Sequence, residues 1–316
     1  MRRISGGRNG AVHCGSIMKA SDKSRQDALR SSGQAGATSR PQVLSYHYQP
    51  AAPLDRFVHV IWCMEQGPTA HPRERLLPDG SVELVINLHE ERVPVYTRGN
   101  LERCEVFHGS VVCGPHSRFF AIDTASELNV VGVHFKPGGA FPFFKLPSGE
   151  LHNLHVGLDA LWGRAAAGEM RERLLAAATP EARARVLERA LLAAAGGVLE
   201  RHPAVAFALN AFHEAAETRR IGEVTEQIGL SPRRFIEVFR KEVGLSPKLF
   251  CRVRRFQKVL RMIAVGRAVD WAEIAVTCGY FDQAHFIHDF QDFSGINPSS
   301  YLADHIEHLN HVPIHG

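Results

Sequence analysis

Residues 277–301 read TCGYFDQAHFIHDFQDFSGINPSSY. Gly279 and Gly295 bracket a segment with Phe286 and Phe290 four apart, and Pro298 follows the second Gly. The same order stands about fifty residues earlier, in GLSPRRFIEVFRKEVGLSPKLF at 229–250. Gly229 and Gly279 are 50 apart. Phe235 and Phe286, Phe239 and Phe290, Gly244 and Gly295, Leu245 and Ile296, Pro247 and Pro298, and Phe250 and Tyr301 are each 51 apart, so the second unit has one extra residue in its turn. Side chains four apart share one helix face, so the paired Phe residues mark a buried side. A Gly between two short helices accepts the left-handed backbone of a tight turn. Each unit therefore reads as a helix-turn-helix, whose second helix buries one face and offers the other to a DNA major groove. Ser231–Pro232 and Ser246–Pro247 have the form of N-cap and first-turn pairs, so helices are expected to begin there.

The two stretches IGEVTEQIGLSPRRFIEVFRKEVGLSPKLF (221–250) and WAEIAVTCGYFDQAHFIHDFQDFSGINPSSY (271–301) resemble the DNA-binding domain of the AraC/XylS family of bacterial transcription regulators. The second follows the family pattern A-x-x-x-G-[FY]-x-x-x-x-x-F-x-x-x-F-x-x-x-x-G-x-x-P-x-x-[FY]. The resemblance implies two helix-turn-helix units joined by a long helix, with recognition helices in successive major grooves. It puts Arg233, Ile236 and Glu237 at base-reading positions of the first unit, and Gln283, Ala284, Ile287 and His288 at the matching positions of the second. Arg can bind guanine through two hydrogen bonds, Glu can accept from cytosine, Gln can pair with adenine, and Ala or Ile can touch a thymine methyl. Arg234, Arg240 and Lys241 are expected to meet phosphates. Thr225 departs from the pattern, standing where the second unit has Ala275, and is expected to loosen the first unit's packing.

Net charge is +4, unevenly spread. Residues 231–267 carry eleven Lys and Arg against two Glu; residues 268–301 carry five acids and no Lys or Arg. Phosphate neutralisation dominates DNA affinity. The first unit and the linking helix are therefore expected to supply most of it, with the acidic second unit binding weakly, reading few bases or facing RNA polymerase.

Upstream, the pattern changes. FVHVIWCM (57–64), SVELVINL (81–88), EVFHGSVVC (105–113), RFFAID (118–123) and LNVVGVHF (128–135) are short β-rich runs separated by Gly and Pro turns. They predict a sandwich or a small barrel of the cupin kind. An Ala/Leu/Arg/Glu-rich helical stretch follows from 157, with Thr179–Pro180 as an N-cap pair. LPDGSVELVINL, VCGPHSRFFAI and VVGVHFKPGGAFPFF resemble an uncharacterised sensor-type domain found ahead of such DNA-binding domains, and that resemblance implies a β-rich regulatory unit without naming a ligand. Alternation of Glu83 with apolar 82, 84 and 86 predicts a solvent-facing side chain. The other reading makes Glu83, Trp62 and Arg118 the lining of an effector pocket.

The 18 His lack the compact spacing of a cupin metal site, so no metal or cofactor is expected, and the six scattered Cys fit reduced thiols. No P-loop, dinucleotide fingerprint or Ser-His-Asp order appears, so no catalytic residue is assigned and an enzyme is not expected. No apolar run is long enough to cross a membrane. The chain thus reads as an α+β protein: a disordered basic tail at 1–40 (with Met18 an alternative start), a β-rich sensor domain with C-terminal helices at 42–195, a double helix-turn-helix at 203–301 and a His-rich tail at 302–316. The expected function is a cytoplasmic, sequence-specific regulator of transcription that binds double-stranded DNA. RNA polymerase, a small-molecule effector and a second copy of the chain remain open as partners. The alternative is a metal-dependent cupin-like enzyme or a dimerisation module fused to the DNA-binding domain.

Overall fold

The computed structural model describes residues 44–65, 71–125, 128–197, 199–215, 220–264, 269–304 and 308–315. The expected basic tail at 1–40 lies outside the described residues. Ten strands come first: β1 (Leu44–Tyr48), β2 (Val58–Glu65), β3 (Arg73–Leu76), β4 (Glu83–Asn87), β5 (Arg92–Thr97), β6 (Asn100–His108), β7 (Ser110–Cys113), β8 (Phe120–Asp123), β9 (Asn129–Phe135) and β10 (His155–Gly157). Helices follow: α1 (Phe141–Phe144), which precedes β10, then α2 (Leu158–Trp162), α3 (Arg164–Ala176), α4 (Pro180–Ala195), α5 (Pro203–Ala215), α6 (Ile221–Ile228), α7 (Pro232–Val243), α8 (Pro247–Ile263), α9 (Trp271–Thr277), α10 (Gln283–Ser294) and α11 (Pro298–Asp304). A last strand, β11 (His311–Pro313), follows.

The strands form two antiparallel sheets, ordered β1-β2-β9-β4-β7-β10 and β11-β3-β8-β5-β6. Neither is closed, so the barrel expectation gives way to two open sheets. Successive strand residues face opposite ways. Leu84 and Ile86 pack with Phe135, Phe143, Met170, Leu187 and other residues under the helices. Val85, on the other face of β4, packs with Val93, Val95, Phe107, Phe120 and Ile122 between the sheets. The six-stranded sheet is thus covered on both faces, as its nearly continuous apolar strands require. The run 105–113 divides at Gly109, where φ is +68°, into β6 and β7, which belong to different sheets.

The repeated helical units form a third core. Phe235, Phe239, Phe286 and Phe290 are fully buried, as the spacing predicts. Gly229, Gly244, Gly279 and Gly295 all have positive φ, between 72° and 89°. Ser231 and Ser246 each accept a backbone N–H three residues on, from Arg234 and Leu249, and Thr179 does the same for Ala182. Thr225 is buried and returns its hydroxyl to Ile221 O at 2.8 Å, so the larger residue is accommodated inside its own helix.

Residues 41–316 form one compact unit. Leu77 and Phe119, which flank strands β3 and β8, and Val312 of β11 join the helical core. Part of the His-rich segment 302–316 is structural: β11 pairs with β3, and His311 Nδ1 lies 2.8 Å from Glu74 Oε2. Chain that follows the helix-turn-helix units thereby becomes the edge of the five-stranded sheet.

Candidate nucleic-acid interface and the cavity behind it

In α7 the buried positions are Phe235, Val238, Phe239, Glu242 and Val243. Arg233, Arg234, Ile236, Glu237, Arg240 and Lys241 are exposed on the opposite side. Glu237 pairs with Arg233 at 3.2 Å and with Arg234 at 3.4 Å, one helical turn away. In α10 Gln283, Ala284 and His288 are exposed and Ile287 is half-buried. The structure therefore brings the first-turn residues of both recognition helices to open surface. It places Arg240 and Lys241 differently from Arg233: the Lys241 ammonium sits 5.5 Å over the Phe141 ring, and a Cβ on Gly149 would meet Arg240 Cγ at 3.1 Å. The C-terminal half of α7 thus rests on the β-rich half. Phe281, just before α10, is 90% exposed, and nothing in the sequence periodicity marked it.

The uneven charge is partly consumed within the fold. Asp270 and Asp282 cap α9 and α10. Asp289 is buried against Arg252, and Asp292 meets both Arg252 and Arg98. In α8, Arg255 donates to Gly279 O at 2.9 Å and Lys258 to Thr277 O at 3.0 Å. These cations close the end of α9, so the linking helix offers DNA fewer free charges than its sequence implies.

The loop 114–119, between β7 and β8, touches the ends of both recognition helices. A Cβ on Gly244, which ends α7, would come within 2.2 Å of Pro115 Cγ. A Cβ on Gly295, which ends α10, would come within 2.2 Å of Phe119 Cε1. Phe119 N also donates to Phe293 O at 2.9 Å. Both glycines are needed for the left-handed cap and for this close approach.

Behind that loop lies a cavity of about 410 Å³, whose lining includes Asp79, Glu83, His116, Phe120, His134 and Asn310. Glu83 does not face solvent as the alternation implied. Its face of β4 is the one turned toward the second sheet, so it is half-buried. It pairs in register with His134 and with Cys113. Glu83 Oε1 accepts from Trp62 Nε1 at 2.8 Å, and Trp62 lies across Gly132, where a Cβ would meet the indole at 2.3 Å. Arg118 is exposed and does not line the cavity, which takes His116 and Phe120 from this stretch. Of the three residues expected to line a pocket, the structure brings together Trp62 and Glu83.

Asp79 Oδ1 accepts from Ser81 N at 2.8 Å beside Gly80, where φ is +83°, so Asp79–Gly80 forms a turn. Asp79 Oδ2 lies 3.1 Å from His134 Nε2. Burial opposes the charge on each. The partner outweighs it, so Asp79 stays below the usual carboxylate range and His134 well above the usual imidazole range. His116 is buried between Phe120 and His155, with ring centroids at 4.7 and 4.6 Å, and its Nε2 has no hydrogen-bond partner. Burial pushes its imidazole well below the ordinary value and that of His155 down to about 4. Burial also raises the Cys63 thiol to about 11, away from the reactive thiolate. Among the described residues no group of three or more His, Cys, Asp or Glu converges to hold a metal, which leaves the metal-dependent alternative without a ligand set there. Sequence patterning missed the meeting of Asp79, His116 and His134, because it depends on strand register.

Residues 46–157 match the model of a domain of unknown function (DUF6597), and residues 224–304 match that of a helix-turn-helix domain. Among solved structures, ToxT from Vibrio cholerae with an unsaturated fatty acid bound is 10% identical, covering 85% of this chain and 97% of its own, with a TM-score of 0.41. An apo ToxT variant is 11% identical, covering 84% and 97%, with the same TM-score. A DNA-binding transcriptional dual regulator from Escherichia coli K-12 is 20% identical, covering 34% and 95%, with a TM-score of 0.29. No curated protein matches the sequence. The repeated units and the family match define a DNA-binding transcription regulator. Its helix-turn-helix domain is of the AraC type, and the β-rich domain of unknown function precedes it. Among the described residues no helix is long and apolar enough to cross a membrane.

Proposed function

We propose that the chain reads a specific sequence in double-stranded DNA and that its β-rich half answers an effector. Arg233, Ile236 and Glu237 contact bases and Arg234 contacts phosphate, with Gln283, Ala284, Ile287 and His288 as the second reading surface. Arg240 and Lys241 lie nearer the β-rich half and serve DNA only at the edge of the interface. The observation that carries this reading is the repeated arrangement of two helices, each with two Phe on the buried face and polar first-turn residues on the open one. Effector control is supported by the cavity and by the loop 114–119, which leans on both recognition helices. An effector acts by favouring one arrangement of these parts over another. RNA polymerase is a further partner, met by the exposed side of the second unit around Phe281.

Selection of bound sequences from random duplex DNA by the full-length protein tests the reading. A motif of two parts about one helical turn apart supports two reading units. No enriched sequence, with or without cell extract as a source of effector, overturns it.

A further inference from the structure

We propose that the cavity between the β3–β4 turn, β9 and the 308–311 segment binds a small organic cation carrying N–H donors, and that the loop 114–119 relays its presence to both recognition helices. This rests on the reading that the β-rich half answers an effector. Three observations converge on it.

The first is charge. Asp79 is answered by His134 at 3.1 Å and Ser81 N–H at 2.8 Å. Glu83 receives the neutral Trp62 N–H at 2.8 Å, and His134, already held by Asp79, stands 3.7 Å away. Its second carboxylate oxygen has no partner among the described residues. A partly desolvated carboxylate of this kind favours an ammonium or amidinium, through a charge-assisted hydrogen bond. The second is an orphan. His116 is buried, lines the cavity and leaves Nε2 without a partner. A buried polar atom left this way costs free energy, and a turn of the imidazole toward the cavity would let a ligand satisfy it. The third is shape. Leu76, Leu77 and Phe120 supply an apolar wall beside these polar groups, and about 410 Å³ suits a compact molecule. Phe120 also offers a ring to a cation.

The wiring follows from position. His116 sits in the loop whose Pro115 meets Gly244 and whose Phe119 meets Gly295. On the other wall, Gln257 of α8 donates from Nε2 to Pro78 O at 2.9 Å and to Asn310 Oδ1 at 2.8 Å, and both residues line the cavity. A ligand therefore touches the immediate neighbours of the residues that seat both recognition helices, and the two acceptors of the helix that joins them.

The test is calorimetric titration of the full-length protein with benzamidine and 2-phenylethylamine, against neutral benzyl alcohol and anionic benzoate of similar size. The proposal expects saturable binding of the cations, about tenfold or more tighter than either control. Glu83→Gln, which keeps an acceptor for Trp62, should weaken the cations about tenfold while leaving benzyl alcohol unchanged. His116→Phe keeps the ring stack and should also weaken them. No saturable binding, equal binding of benzoate, or cation binding indifferent to Glu83→Gln each overturns the proposal; the wild-type ligand comparison decides even if a variant fails to fold. Because titration needs no DNA, its failure is distinct from failure to select a DNA motif. Where a motif is found, benzamidine should shift its affinity in the wild type and not in Gln257→Leu.

Discussion

Arg252 Nη2 lies 2.7 Å from Asp289 Oδ1, joining the helix between the two units to the buried face of the second recognition helix. Asp289 has a side chain only 4% exposed, and its other oxygen lies 3.4 Å from Arg252 Nε. One carboxylate of the acidic second unit is therefore a structural counter-ion that sets the angle of α10. Asp289→Ala leaves the Arg252 guanidinium with Asp292 at 3.3 Å alone. It should cost about 2–4 kcal/mol of stability, read as a lower urea midpoint.

Arg233 and Gln283 lie in the first turns of α7 and α10, but α7 carries more free positive charge. Arg233→Ala should weaken binding to the selected DNA by about 1–3 kcal/mol, and Gln283→Ala by about 0.5 kcal/mol. Equal losses in fluorescence anisotropy titrations would show the two units to be equivalent readers.

Arg255 and Lys258 already donate to the carbonyls of Gly279 and Thr277. Replacing either by Ala should lower stability by about 0.5–1 kcal/mol and leave the dependence of DNA affinity on salt nearly unchanged. Arg234→Ala should instead reduce that salt slope by about one. Binding isotherms across a salt series separate the two roles.

Gly132 lies directly under Trp62, where an added Cβ would approach the indole to 2.3 Å. Gly132→Ala should displace Trp62 from Glu83 and destabilise the sheet by about 1–3 kcal/mol. A changed tryptophan emission with a lower thermal midpoint would report it.

Three histidines give opposite pH limbs. His116 and His155 are pushed down by burial, His155 to about 4, so their neutral forms favour the folded chain. Unfolded His titrates near about 6.5. Their contribution is therefore complete above that value and is lost as pH falls below it, for His155 through about 4. His134 is held above its ordinary value by Asp79 and Glu83 against burial, so its contribution is complete below about 6.5 and is lost as pH rises through its folded value. Thermal midpoints should fall on both sides, with His155→Phe flattening the acid limb and His134→Gln the alkaline one.

The helix-turn-helix units were legible because their signals are local. Phe spacing of four, Gly at the turns and Ser-Pro at the helix starts act within one or two helical turns, and each reappears in the structure. Strands β2, β4, β8 and β9 were legible from their apolar runs. Strand β3, Arg73–Leu76, was not, since charged residues dominate it and its partners β8 and β11 come from distant chain. The reading of Glu83 as solvent-facing failed for a related reason, while the pocket reading kept it beside Trp62. Alternation tells which residues share a face, but not whether a second sheet covers the other face.

The sequence by itself determined the repeated units, their caps, the polar faces of α7 and α10 and the β-rich character of the first half. Those features rest on backbone preference and side-chain periodicity, which a short stretch of chain carries alone. Only the tertiary structure decided that Glu83, His116 and His134 share one cavity, that residues 311–313 complete the five-stranded sheet, and that one loop seats both recognition helices. Each of those facts depends on strand register and on contacts between residues tens to hundreds of positions apart, which local pattern does not encode.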